Sequence, residues 1–181
     1  MHDATLGYAR GELIHQAGER GGAWRIIAGV VRLDRNSEGG RMFAGLARPG
    51  DVIGMEAMAD RTYAFDALAL CDCRLAPWQE PGQNADQDSL LQMLLAVERR
   101  SAEILALRCG DALARVKRLI LMLADGHSDP IAIPLARDMA DITGLTAETV
   151  SRAFSVLRRQ GILHKQGARL GRVCRPDWQP A

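Results

Sequence analysis

The spacing of apolar positions changes twice along this chain. Up to residue 80 they alternate or come in short runs, as in "WRIIAGVVRL" (24–33), "RMFAGLA" (41–47) and "AFDALALCDCRLA" (64–76), the pattern of strands. Turn signals at Gly18, Gly21-Gly22, Gly39-Gly40 and "RPGDVIG" (48–54) recur about every ten residues, the rhythm of a sandwich, jelly roll or barrel. Pro77 and "EPGQNAD" (80–86) close the block, and from Asp86 no Gly or Pro intervenes until Gly110. There Leu90, Leu94, Val97, Ser101 and Ile104 follow a 4-3-4-3 spacing, with Leu91, Leu95, Ala102 and Leu105 alongside. So wide a band exceeds what covering one small sheet requires. It predicts a parallel, coiled-coil-like dimer seam flanked by Arg99 and Arg100, with Ser101 as its polar member.

After Gly110 the period stays helical but the elements shorten. Asp111 is placed to cap a helix whose stripe is Leu113, Val116, Ile120 and Leu123. "DGHSDP" (125–130) predicts a turn, residues 131–133 a short strand, and Leu135 to Thr143 a helix with Leu135, Met139 and Ile142 inward. Gly144 supplies a permissive turn residue and Thr146 an N-cap. Val150, Ala153, Phe154 and Leu157 then recur at i, i+3, i+4 and i+7. Helix, short glycine turn, helix is a helix-turn-helix, and "ILHKQGARLGRV" (162–173) predicts two short strands around Gly167, a basic wing. On another face of the second helix, Glu148, Ser151, Arg152 and Ser155 form a polar row presented outward.

Charge sharpens this picture. The net charge is only +1, yet residues 1–110 hold 12 Lys/Arg against 15 Asp/Glu and residues 111–181 hold 11 against 7. Between Thr149 and Pro176 stand seven basic residues (Arg152, Arg158, Arg159, Lys165, Arg169, Arg172, Arg175) and no acid. Solvated faces usually mix signs, so a one-signed stretch beside a presented helix suits a polyanion. The hydrophobic fraction of 48% excludes wholesale disorder. No apolar run approaches the ~20 residues of a membrane span, and the N-terminus lacks the pattern of a secretory signal. Cytoplasmic location without membrane contact is the expectation.

Enzyme chemistry finds no support. Cys71, Cys73, Cys109 and Cys174 fit no zinc or iron–sulfur spacing. A cupin-like β-roll enzyme, the remote alternative, needs a His-x-His and a Glu, and residues 1–80 offer only His2 and His15. Gly-x-Ser-x-Gly and P-loop motifs are also missing.

The order of elements resembles the cyclic-AMP receptor / fumarate-nitrate reductase regulator (CRP/FNR) superfamily of bacterial transcription factors. "MADITGLTAETVSRAFSVLRRQGIL" (139–163) is similar to the family's recognition motif. "GELIHQAGERGGAWRIIAGVVRL" (11–33) and "RPGDVIGMEAM" (48–58) follow the glycine pattern of its sensor domain. The resemblance implies an α+β chain with a jelly-roll sensor domain over 1–85, a dimerisation helix over 86–110 and a winged helix-turn-helix over 111–181. It implies double-stranded DNA as partner, read as a homodimer, and contact with RNA polymerase. Base readout falls to Glu148, Ser151 and Arg152, since Arg152 can pair with the guanine O6/N7 edge and Glu148 can accept from a cytosine amino group. Thr146, Arg158, Arg159, Lys165 and Arg169 fall at backbone-contact positions, which position without specifying. Glu-x-x-Ser-Arg, with Ala147 where the cyclic-AMP branch has Arg, looks like the FNR branch, whose half-site is TTGAT rather than TGTGA.

The sensor departs from the cyclic-nucleotide pattern. That pattern has Gly-Glu-Leu, then Arg-Ser about ten residues later. Here Gly54 is followed by Met55, displacing Glu56, and Arg61-Thr62 come only five residues further on. Gly54, Glu56, Arg61, Thr62 and Ser101 make up the candidate effector pocket. No cysteine precedes Cys71 to hold an oxygen-sensing cluster, and His15, His127 and His164 are too scattered for a haem site. The expectation is a regulator without a cofactor or iron–sulfur cluster. A cyclic-nucleotide-dependent regulator using the β-roll pocket is the alternative.

Overall fold

A computed structural model describes residues 5–78, 87–124, 131–165 and 170–173. The chain divides into two compact units between Ile104 and Leu105.

The N-terminal unit holds β1 (Leu6–Tyr8), β2 (Leu13–His15), β3 (Trp24–Ala28), β4 (Val31–Ser37), β5 (Gly40–Ala47), β6 (Val52–Ile53), β7 (Asp66–Ala69) and β8 (Cys73–Pro77). They form two antiparallel four-stranded sheets, ordered β1-β8-β3-β6 and β2-β7-β4-β5. Ile26, Val31, Ala47, Ile53, Ala67, Ala69, Cys73 and Leu75 build the core. α1 (Gln87–Arg108) follows and crosses the division between the units.

Two runs that read as single apolar stretches, 24–33 and 64–76, are each two strands that belong to different sheets. The first breaks at Gly29, where φ is +93° and an added Cβ would lie 2.5 Å from both Asp72 O and Cys73 Sγ. Only glycine allows the chain to turn this close to the 70–72 corner. The cysteines fasten that corner. The Val30 amide donates to Cys71 Sγ (3.2 Å), and the Cys73 thiol lies 3.4 Å from Val30 O and 3.1 Å from Cys71 O. The hydrogen bond with Cys71 and burial push the Cys73 thiol far above its ordinary value. These are structural thiols.

On the opposite face of β4 from Val31, register sets Asp34 directly across from Asp66 on β7. Facing carboxylates repel, and basic and amide groups answer them. Arg32 Nε donates to Asp34 Oδ1 (2.8 Å), and Arg41 Nε lies 3.3 Å from Asp34 Oδ2 and 4.0 Å from Asp66 Oδ2. Asn36 Nδ2 and the Ala17 amide donate to Asp66. Arg32 and Asp34 are both buried, so removing either breaks a buried ion pair, which is destabilising.

The C-terminal unit contains α2 (Ala112–Ala124), β9 (Ile131–Ala132), α3 (Ala136–Thr143), α4 (Ala147–Arg159), β10 (Leu163–Lys165) and β11 (Leu170–Val173). Asp111 caps α2 by accepting from the Ala114 amide at 2.8 Å. Val116, Leu119, Ile120 and Leu123 of α2, Met139 and Ile142 of α3, and Val150, Phe154 and Leu157 of α4 are buried, so the three helices close one core. The β10–β11 hairpin gains β9 as a third, antiparallel strand. α3 starts one residue later than its apolar pattern suggests, because extended Leu135 (ψ 147°) is its N-cap.

Two glycine substitutions separate backbone strain from crowding. Gly11 (φ +87°) has open space around its missing Cβ, so Gly11→Ala should cost only the left-handed penalty of about 1–2 kcal/mol. Gly29→Ala adds a clash and should cost roughly 2–5 kcal/mol. Equal losses in chemical denaturation would contradict the corner described here.

Candidate nucleic-acid interface

The turn between α3 and α4 is built locally. Gly144 closes α3 in a left-handed conformation (φ +67°), and the Gly144 and Leu145 amides donate to Ala140 O. Thr146 is extended, and its Oγ1 accepts from the Thr149 amide at 3.2 Å, capping α4. The Val150, Ala153, Phe154 and Leu157 stripe is buried. With that stripe inward, Glu148, Ser151, Arg152, Ser155, Arg158 and Arg159 are all exposed.

Arg152 Nη2 lies 3.0 Å from Glu148 Oε1, with the two side chains 72% and 77% exposed. An exposed i, i+4 pair contributes only about 0.3–0.5 kcal/mol, so both groups can exchange partners at little cost. The Ser155 hydroxyl donates back to Ser151 O (3.1 Å), and the Arg158 guanidinium stands 6.0 Å from the Phe154 ring centroid. Of the expected wing contacts, Lys165 ends β10 but its side chain lies outside the described residues, as does Arg169. Arg172, one of the seven basic residues of the one-signed stretch, and His164 were given no contact role by the sequence, yet they stand opposite each other in the hairpin register and are exposed. Their basic character was visible, but strand alternation shows outward placement only once the register is known.

The candidate effector residues are less convergent. Gly54 (φ +72°) opens a short 3-10 turn over Met55–Ala59. Glu56 is used in closing that loop, since Glu56 Oε1 accepts from the Ala64 amide (3.2 Å) and Glu56 O from the Arg61 amide (3.0 Å). Arg61 and Thr62 are exposed, and Ser101 is exposed on α1 with its hydroxyl donating to Val97 O. Among the described residues no hydrogen bond or ion pair joins one of these side chains to another.

Tyr63, which no sequence signal marks, occupies a slot beside this loop. It is buried, and its hydroxyl donates to Gly22 O at 2.8 Å. A Cβ on Gly21 would lie 2.1 Å from the Tyr63 hydroxyl oxygen, and one on Gly54 would lie 2.8 Å from the ring. Gly21 and Gly54 therefore also make room for an aromatic ring. His15 stacks on Tyr63 with centroids 3.8 Å apart and planes at 14°. Burial holds the His15 imidazole below its ordinary value, against the opposing pull of Glu56, Asp66 and Glu19.

α1 presents a third feature. Arg99 bridges Asp51 (2.7 Å) and Glu103 (2.9 Å), and Arg48 also reaches Glu103. Leu94 is 64% exposed and Leu105 66%, with Leu95 and Val97 also exposed. Ile104 is half-buried, 3.4 Å from where a Gly45 Cβ would stand, and Arg100 is half-buried too. The Leu90 side chain lies outside the described residues. Among the described residues no group of three or more His, Cys, Asp or Glu could hold a metal, and no helix is long and apolar enough to cross a membrane.

Comparison with known proteins agrees with this arrangement. Residues 5–80 match the cyclic nucleotide-binding domain family and residues 114–178 the Crp-like helix-turn-helix domain family. The chain is 31% identical to nitrogen fixation regulation protein FixK of Bradyrhizobium diazoefficiens, over 77% of this chain and 65% of that protein. It is 32% identical to transcriptional activator protein FnrL of Cereibacter sphaeroides, over 80% of this chain and 65% of that protein. The matches thus span slightly less than two thirds of these two relatives. The structure of FixK2 from Bradyrhizobium japonicum superposes with a TM-score of 0.72 at 27% identity, covering 94% of this chain and 91% of that one.

Neutral buried His15 makes stability depend on pH. Its folded-state value is depressed, so the unfolded chain takes up the proton more readily. The stability that neutral His15 contributes is present above the ordinary value of 6.5 and is lost as pH falls below it. The thermal stability of wild type should fall as pH drops below that value, and His15→Gln should flatten the dependence. An unchanged slope in the variant would exclude His15 as its source.

Proposed function

The chain belongs to the CRP/FNR family of transcription regulators, a family of regulators and not of enzymes, and from that premise we propose that it binds an inverted-repeat DNA site as a homodimer. The observation that carries this reading is the α4 geometry: a buried stripe holds the helix while Glu148, Ser151 and Arg152 face outward at its N-terminal end. That end enters the major groove in helix-turn-helix proteins. In this reading residues 111–181 bind DNA, 86–110 dimerise, and 1–85 form the sensor domain. Arg152 reads guanine, Glu148 reads cytosine, and Ser151 completes the row. Arg158, Arg159, Lys165 and Arg169 contact phosphates along with Thr146. RNA polymerase is the further partner.

The half-site follows the FNR branch, TTGAT, with half-site centres one helical turn, ~34 Å, apart. No cyclic nucleotide is required, because Met55 stands at the acid's position and Glu56 closes its own loop. Exposed Leu94, Val97 and Leu105 support the pairing of α1 with a second copy.

Replacing Leu94 with Glu would bury an unpaired charge in the α1 seam. It should convert a dimer to monomers in sedimentation at micromolar concentration, and a monomeric wild type would defeat the dimer. Selection from random DNA tests the reading itself, with TTGAT repeats expected and TGTGA repeats refuting the branch assignment. Arg152→Ala should cost about 1–3 kcal/mol per half-site and relax the guanine preference at one position. Lys165→Ala should weaken all sequences alike and lower the salt slope by roughly one.

A further inference from the structure

Three arginines of the C-terminal unit end on main-chain oxygens at or beside helix termini. Arg108, in the last turn of α1, donates from Nη2 to Asp141 O at 2.9 Å. Arg115 of α2 donates from Nη1 to Thr143 O (3.3 Å) and from Nε to Gly110 O (2.8 Å). Arg118 of α2 donates to Ala106 O. The last four carbonyls of a helix lack intrahelical partners, and a cation there is favoured by the helix dipole. Here the cations on the α3 terminus come from other helices.

The contacts concentrate on the turn that leads into α4. Asp141 and Thr143 are in the last turn of α3, and Gly144 follows. A Cβ on Gly144 would lie 2.9 Å from Arg108 Nη1, so the glycine serves both the left-handed turn and the approach of the guanidinium. Thr146, the α4 cap, is two residues further on. The last turn of α1, the 109–111 link, the start of α2 and the entrance to α4 are thereby joined through Arg108 and Arg115. Arg108 is exposed, and water could satisfy Asp141 O in its absence. What its guanidinium adds, held on Asp141 O and packed against Gly144, is a fixed separation between the end of α1 and the start of α4.

That separation has a consequence if α1 pairs across a twofold axis. The distance between two α4 N-termini is then set by the ends of two α1 helices and by the step from each end to its α4. We propose that Arg108, supported by Arg115, is a positioning residue that determines which spacer length between DNA half-sites the dimer accepts. This rests on the dimeric DNA-binding reading above. Adding or removing one base pair shifts the half-sites by ~3.4 Å and rotates them about the duplex axis. A clamped step rejects such a site, and an unclamped step adapts to it.

The test uses full-length protein and the inverted repeat that wild type selects from random DNA, compared with repeats one base pair shorter and longer. Wild type should discriminate against both altered spacers. Arg108→Ala should recover the same half-site sequence while its discrimination falls about tenfold, the scale of one lost charge-assisted contact. Arg115→Gln, which leaves Arg108 in place, should relax the spacer in the same direction, so a folding defect in one variant does not decide the outcome. Arg108→Lys, which keeps a donor but not the guanidinium, should recover part of the discrimination. Unchanged spacer preference in both Arg108→Ala and Arg115→Gln overturns the proposal. So does an equal loss on every spacer and on a single half-site, which would mark a structural role alone. If wild type selects no inverted repeat, the dimeric reading fails first. If it selects one and the variants keep its spacing, only the spacer proposal fails.

Discussion

Arg99 holds Asp51 of the β-roll with one nitrogen and Glu103, one turn further along α1, with the other. Asp51 is buried, and burial opposes the charge on Arg99 itself, but Asp51 and Glu103 more than offset this and hold the guanidinium above its ordinary value. Without Arg99, the Asp51 carboxylate would remain buried with its ion pair broken, the costly half of a charge pair. Arg48 adds a second guanidinium on Glu103. This network commits one face of α1 to the roll. At 100° per residue, Arg99 and Glu103 lie roughly opposite Leu94, Ser101 and Leu105, which leaves those three exposed. The apolar surface available for a partner is therefore a consequence of which face the ions occupy.

The parts legible in the sequence are those whose causes are local. Thr146, Asp111 and Gly144 act within four residues of their partners, and the Val150–Leu157 stripe is a period, so caps, turn and outward row follow from spacing alone. The seam band was also visible, but not its division of labour. Ile104 shares the spacing of Leu94 and Val97, yet it turns toward Gly45 because Arg99 and Glu103 fix the rotation of the helix. Tyr63 was missed because nothing near it in sequence announces a slot. Its neighbours Gly21, Gly22 and Gly54 come from two distant loops and read equally well as turn glycines. In the sequence Gly29 is one residue inside an apolar run, and only the approach of Asp72 and Cys73 shows that it divides two sheets.

α4 and α1 each expose a face, at different energetic cost. The α4 row is charged and hydrated, so its exposure is cheap, and the Glu148–Arg152 pair keeps both groups in water until a better partner arrives. The α1 face is apolar, and each large aliphatic side chain left in water forfeits about 1.5–3 kcal/mol of burial. Leu94, Leu95, Val97 and Leu105 of two protomers would together offset a substantial part of the ~4–15 kcal/mol that association costs.

The two faces need each other on energetic grounds. One recognition helix with one or two good base contacts supplies about 1–3 kcal/mol of discrimination per contact. Regulators distinguish their sites from other DNA by about 4–10 kcal/mol. Glu148, Ser151 and Arg152 from a single protomer thus reach about 1–6 kcal/mol, short of most of that range, and the basic residues behind them attract every sequence alike. Doubling the helix across a twofold axis reaches the range without a longer recognition surface, provided the second helix is held rather than tethered. In the proposed dimer a rigid α1 pairing would supply the first half of that constraint, and the arginines at its end, which bind the carbonyls before α4, would supply the other half.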